Sequence, residues 1–98
     1  MGKSGKALLE WEKVEKAAEI LKSVAHPLRL RIIELLESRE MAVGELQELL
    51  GISQSLTSQQ LSLMKARGIL KSRKNGKQVY YYVDRPEVIQ VINCLRKC

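Results

Sequence analysis

The stretch GISQSLTSQQLSLMKARG, residues 51–68, decides how this 98-residue chain folds. Gly51 interrupts the apolar run before it, Ser53 has the hydroxyl of a helix cap, and Gly68 falls where a helix has to stop, so the interval reads as one helix. At helical spacing Leu56, Leu63 and Met64 share a side with Leu61 beside them, and Ser55, Ser58, Gln59, Ser62 and Lys65 share the other. A solvated helix ordinarily carries Glu and Lys on its wet side. Here the wet side holds hydroxyls and amides, which both donate and accept hydrogen bonds, and the interval contains no acid. Base edges in a DNA major groove offer donors and acceptors, and the phosphates beside them repel carboxylates, so this is a surface such a groove admits. The same composition would also suit a solvated helix with no task, and the flanking elements separate the two readings.

Upstream, residues 42–50 form a short helix with Val43, Leu46, Leu49 and Leu50 on its apolar side, and the Gly-Ile-Ser turn joins it to the helix above as a helix-turn-helix. Downstream, residues 69–73 and 78–83 alternate as a β-hairpin, with Asn75-Gly76 as the pair that tolerates positive φ at both central positions. That turn predicts a register in which Lys74 faces Lys77, Arg73 faces Gln78, Lys71 faces Tyr80 and Leu70 faces Tyr81. Leu70, Val79, Tyr81 and Val83 then point inward, and Lys71, Arg73, Tyr80 and Tyr82 outward. Lys74 and Lys77 become like charges directly across the ladder, an arrangement that opposes stability unless an anion lies beside it. A hairpin bearing Lys71, Arg73, Lys74, Asn75 and Lys77 next to a groove-reading helix suits phosphates or the minor groove.

The remaining pattern is helical. Residues 6–24 carry a stripe of Trp11, Val14, Ala18 and Leu21, with Ala17 and Val24 alongside, and residues 1–5 read as a disordered start. Ala25-His26-Pro27 interrupts the stripe, and Pro27–Ser38 follows with Leu28, Ile32, Leu35 and Leu36 on one face and Ile33 widening it. His26 stands at a helix entry without a Cys, Asp or Glu at ligand spacing, which points to capping or packing ahead of metal binding. After Arg85-Pro86, residues 87–98 form a last helix with Val88, Val91, Ile92 and Leu95 as its stripe and both Cys94 and Cys98 on the apolar side. The chain reads as one domain over 1–98, mainly α with a β-hairpin wing, whose helices 6–24 and 87–98 pack against their copies in a second subunit.

Composition agrees with that reading. A formal charge of +6 favours polyanions, and the absence of a long apolar run excludes a helical membrane span. No signal peptide is visible, since acids break the segment after the basic start, so the expected place is the cytoplasm. Two cysteines four residues apart at the C-terminus are no secreted disulfide framework. No catalytic pairing of His with Cys or Ser, no phosphate loop and no paired carboxylates occur, so an enzyme is not expected and no cofactor is called for. A winged-helix module that binds protein or RNA is the alternative class, disfavoured by the acid-free helix face and by the scarcity of aromatics for stacking on bases.

Three stretches, AHPLRLRIIELL, ISQSLTSQQLSLMKARGIL and RKNGKQVYYYV, resemble the second helix, the recognition helix with its exit, and the wing of the ArsR/SmtB-family repressors. The resemblance implies a cytoplasmic homodimer that represses transcription by binding an imperfect inverted repeat in double-stranded DNA and lets go when an inducer binds. Carried over, its base-reading positions are Gln54, Ser55, Thr57, Ser58 and Gln59. Gln60 stands where many members have histidine, and its amide needs a partner on the less exposed side. Ser58–Leu61 and Lys77-Gln78 are more similar to the branch that senses sulfide, persulfide or oxidants than to the metal sensors. The metalloid sensors' cysteine pair is replaced by Met41, Ala42 and Val43, the zinc sensors' carboxylates and histidines are missing from the last helix, and Pro27–Arg39 lacks the cysteine of the sulfur branch. Cys94 and Cys98 remain, either as a redox or persulfide pair, as thiolate ligands of a soft metal shared by two subunits, or as small apolar packing residues.

Overall fold

The computed structural model describes residues 7–98. The chain runs α1 (Trp11–Val24), α2 (Pro27–Ser38), β1 (Met41–Ala42), α3 (Val43–Leu50), α4 (Gln54–Ala66), β2 (Lys71–Asn75), β3 (Gln78–Tyr82) and α5 (Pro86–Arg96). The expected disordered start and the first residue of the predicted 6–24 helix lie outside the described residues, and the helix itself begins at Trp11.

Local chemistry sets the helix ends. His26 Nδ1 accepts the Leu28 N–H at 3.1 Å and so caps α2, the role its position predicted, with Pro27 in the first turn. Gly51 closes α3 at φ 69°, a left-handed conformation that a β-carbon would strain. Ser53 Oγ then accepts the Leu56 N–H at 3.1 Å to open α4. Gly68, at φ 77°, ends α4 in a Schellman pattern: its N–H reaches the Lys65 carbonyl and that of Ile69 reaches Met64. Ala42 has no side chain to cap α3, so Glu45 reaches back to the Ala42 N–H while also pairing with Arg39 at 2.8 Å. The hydrogen bond from Arg39, then that from Ala42, holds the Glu45 carboxyl below the usual carboxylate range.

The core is built around α2. Ile32, Ile33 and Leu36 are buried against Leu46 of α3, Leu61 and Met64 of α4, Ile69 and Leu70 beyond it, and Val88 and Ile92 of α5. Each such aliphatic side chain contributes roughly 1.5–3 kcal/mol when fully buried. Two expectations for α4 are corrected. Leu56 stays 36% exposed, and the buried positions are Thr57, Leu61 and Met64. Their i, i+4, i+7 spacing defines the inward line, which leaves Leu56 on the flank.

The sheet holds three antiparallel strands in the order β1-β3-β2, one more than the predicted hairpin. Met41 pairs with Tyr81 and Ala42 with Tyr80. Two residues cannot display an alternation, so β1 carries no sequence signal; β3 supplies the edge that makes it a strand. The hairpin register is also corrected. Asn75 faces Gln78, Lys74 faces Val79, Arg73 faces Tyr80 and Lys71 faces Tyr82, with Gly76-Lys77 as the loop. Gly76 has φ 66° and Asn75 has no positive φ, so the turn asks the left-handed conformation of glycine alone, at the first central position, as a type II′ turn does. Asn75 thereby gains a cross-strand partner. The displacement from the expected register is two residues, which preserves the faces. Tyr81 and Val83 pack on the core as expected, but Val79, near the tip, is 38% exposed because the core does not extend that far. Lys74 is also no longer opposite Lys77, so the expected repulsion across the ladder does not arise.

Both end helices leave apolar surface uncovered. In α1 only Ser23 and Val24 are buried, while Trp11 is 72% and Leu21 54% exposed. In α5, Val88 and Ile92 turn inward and Leu95 is half exposed. The described chain is accordingly long, 53 × 27 × 20 Å.

Candidate nucleic-acid interface

Gln54, Ser55, Ser58, Gln59, Ser62 and Lys65 are all exposed, on a helix with no acid from Gln54 to Ala66. Thr57, predicted as a base reader by resemblance, does not join them. It is completely buried, and its hydroxyl donates to the Ser53 carbonyl at 2.8 Å. Its position on the inward line makes it a core residue of the recognition helix, unable to reach a base edge.

Gln60 finds its partner in α2. Its Oε1 accepts from Arg29 Nε at 2.8 Å, and Arg29 Nη1 donates to the Ser23 carbonyl at the end of α1 at 3.2 Å. One guanidinium therefore joins α1, α2 and α4. The sequence asks for a partner to Gln60 but does not point to Arg29, because 31 residues separate them and no spacing rule connects the two.

The wing cations divide into two pairs. Arg73 is ion-paired with Glu40, whose buried Oε1 lies under it, and its guanidinium stands 5.3 Å from the centroid of the Tyr80 ring. Lys71 Nζ lies 3.1 Å from Asp84. Both side chains are at least half exposed, so these contacts are worth little in stability. They do offset two of the positive charges assigned to DNA. Lys74 and Lys77 are exposed and make no ion pair among the described residues, and Asn75 is exposed between them. The uncompensated charge of the wing is thus concentrated at its tip. Among the described residues Lys65 and Arg67 make no ion pair, so they add positive charge at the end of α4; Arg67, the residue that caps the helix, carries no sequence signal that singles it out.

Cys94 and Cys98 are free and exposed. The last helix stops at Arg96 with Lys97 as its cap, so Cys98 lies just past it and not within a regular turn as expected from the 87–98 helix. Its thiol points back at the Cys94 carbonyl, 3.5 Å away. Between the two cysteines, Arg96 pairs with Glu37 of α2 at 2.7 Å and ties the last turn to the central helix. Among the described residues no three His, Cys, Asp or Glu side chains gather as a metal site, so a thiolate site would draw on a second copy of the chain. No helix among them is long and apolar enough to cross a membrane.

Known proteins share this arrangement. Residues 26–72 match the family described as bacterial regulatory protein, arsR family. Over 84 residues the chain is 36% identical to the biofilm growth-associated repressor of Xylella fastidiosa, covering 86% of this chain and 74% of that protein. The transcriptional activator HlyU of Vibrio cholerae is 37% identical over 82 residues, covering 84% and 76%. The solved structure of HlyU superposes with a TM-score of 0.83 over 90% of this chain and 96% of that one, at 34% identity. A homodimeric winged helix-turn-helix DNA-binding domain from Mycobacterium bovis shares the fold at 23% identity, with a TM-score of 0.76 over 96% of this chain and 87% of that one.

Proposed function

Because the chain belongs to the ArsR family of bacterial regulatory proteins, DNA-binding transcriptional regulators and not enzymes, we propose that it is a homodimeric repressor that occupies an imperfect inverted repeat in the cytoplasm and releases it on a thiol signal. The observation that carries the DNA-binding reading is the exposed, acid-free surface of Gln54, Ser55, Ser58, Gln59, Ser62 and Lys65, flanked by the uncompensated Lys74 and Lys77. Side chains on α4 read base edges, and the wing tip with Asn75 holds phosphates; Lys71 and Arg73 contribute less, being already paired. The uncovered stripes of α1 and α5 form the subunit interface, which sets the distance between the two recognition helices.

The signal enters at Cys94 and Cys98. An oxidant such as an inorganic polysulfide takes two electrons and two protons from the pair, leaving a disulfide in the protein and sulfide in solution. Thiols four residues apart on a regular helix are poorly aimed for a bridge, but Cys98 already lies past the helix end, so closure unwinds only the final turn. Arg96 lies in that turn, and unwinding pulls it off Glu37. HlyU of Vibrio cholerae has also been solved in a form described as reduced, which supports looking for redox control here.

The test is duplex binding to a fragment from upstream of the gene itself, with thiols reduced and then after polysulfide, beside a Cys94→Ser/Cys98→Ser control. Loss of binding only in the protein with both cysteines is expected. Unchanged binding in every state would refute thiol gating, keep the DNA-binding reading, and direct the search to soft metal ions held by four thiolates across the dimer.

A further inference from the structure

A concave surface lies beside the exit of α4. It is a cleft of about 490 Å³ between α1, the exit of α4 and the start of α5, with Ile20 and Ser23 in its wall. Lys16, Lys22, Arg67 and Arg85 line it against Glu19, so four cations and one acid leave +3. Lys16, Lys22 and Arg67 make no ion pair among the described residues, and Arg85 pairs with Glu87 at 3.3 Å. Lys22 lies in the last turn of α1 and Arg67 caps α4, so two helix ends account for part of this charge. Each supplies roughly half a negative charge and Glu87 answers Arg85, which leaves about one positive charge unanswered.

None of Ser55, Ser58, Gln59, Ser62 or Lys65 lines the cleft, which shares only Arg67, at the exit of α4, with the nucleic-acid surface. The geometry points to a binding site for a small phosphate-class oxyanion, held between α1 and the exit of the recognition helix. The guanidinium fork of Arg67 matches a tetrahedral oxyanion in shape, Arg85 adds the N–H donors left over from Glu87 and the Gly68 carbonyl, and the two ammonium groups add charge without a fixed geometry. Arg85 Nη1 also donates to the Gly68 carbonyl at 3.3 Å, so an anion on Arg85 is one hydrogen bond away from the residue that ends α4. Occupation links a helix of the proposed subunit interface to the recognition helix. The site is independent of whether the cysteines gate DNA release.

The same chemistry has two sources, a free phosphate or the DNA backbone, and two measurements separate them. Inorganic phosphate and pyrophosphate are titrated into the reduced protein by calorimetry, with sodium chloride of matched ionic strength as control, for the native chain and for Lys22→Gln/Arg67→Gln. Both substituted residues are exposed, and an unchanged unfolding temperature without ligand confirms the fold. Saturable binding of pyrophosphate, weakened about tenfold in the double variant, is expected. Equal heats from chloride, or equal affinity in the variant, overturn the site. If free phosphate does not bind and the variant instead lowers the salt dependence of duplex binding, the cleft serves the DNA backbone and the small-ligand assignment is wrong.

Discussion

Replacing Thr57 by valine separates a core residue from a base reader. Resemblance assigns Thr57 to the bases, whereas the structure buries it completely, with its hydroxyl on the Ser53 carbonyl at 2.8 Å. Losing that bond costs about 1 kcal/mol. The Ser53 carbonyl is not orphaned, because the Thr57 N–H still donates to it at 3.1 Å. Valine keeps the shape and puts a methyl in the hydroxyl's place, contributing about 0.8 kcal/mol of burial. The two terms nearly cancel, so Thr57→Val should unfold within about 1 kcal/mol of the native chain. Thr57→Ala, which leaves a small void, should lose about 1–2 kcal/mol. Chemical denaturation measures both, and competition between the specific duplex and random duplex measures recognition. Thr57→Val should keep full discrimination, while Ser58→Ala or Gln59→Ala loses it. A tenfold or greater loss of discrimination in Thr57→Val, with stability unchanged, would refute the buried placement.

Three further outcomes follow from the geometry. Lys74→Ala and Lys77→Ala should weaken binding to all duplexes alike and reduce the slope of log affinity against log salt by about 0.9 for each phosphate no longer neutralised, whereas Lys71→Ala and Arg73→Ala should change it less; equal effects at all four positions would contradict the division of the wing charge. Glu45→Gln should flatten the acid limb of stability. The carboxyl is held below its usual range in the folded chain, so its contribution is present above the unfolded-state value and is lost as pH falls through the folded-state value. Urea unfolding at neutral pH and at about pH 3 should therefore show the variant and the native chain converging in acid, and a constant difference would count against the capping role. Leu21→Glu should leave the helical circular dichroism intact, because Leu21 is 54% exposed in the single chain, but should give monomers in sedimentation; a persistent dimer would remove α1 from the interface.

Most of the architecture is legible in the sequence because its signals are local. Ser53, Gly51 and Gly68 act on the backbone within a turn of themselves, and the Leu and Ile spacing of Pro27–Ser38 is a property of one helix. The wing is legible in kind but not in register. Asn75-Gly76 is a common turn pair, yet the cross-strand partner gained by Asn75 and the single positive φ at Gly76 outweigh that preference. The α4 stripe differs from its expected line by one step, Thr57 in place of Leu56, because a hydrophobicity pattern assigns leucine inward and cannot register a threonine whose hydroxyl is satisfied by its own helix. Periodicity puts both cysteines on an apolar side, and both are exposed in the single chain.

The sequence by itself determined the helix-turn-helix, the acid-free reading face, the presence of a wing and the excess of positive charge, because periodicity, capping and composition act over a few residues. Tertiary structure alone decided which cations stay free and which are answered. Glu40 and Asp84 reach Arg73 and Lys71 across the fold, Arg29 meets Gln60 from 31 residues away, and Lys16, Lys22, Arg67 and Arg85 converge on one cleft from three elements. Electrostatic pairing depends on distance in space, and the chain brings these groups together only after the apolar faces of its helices have packed.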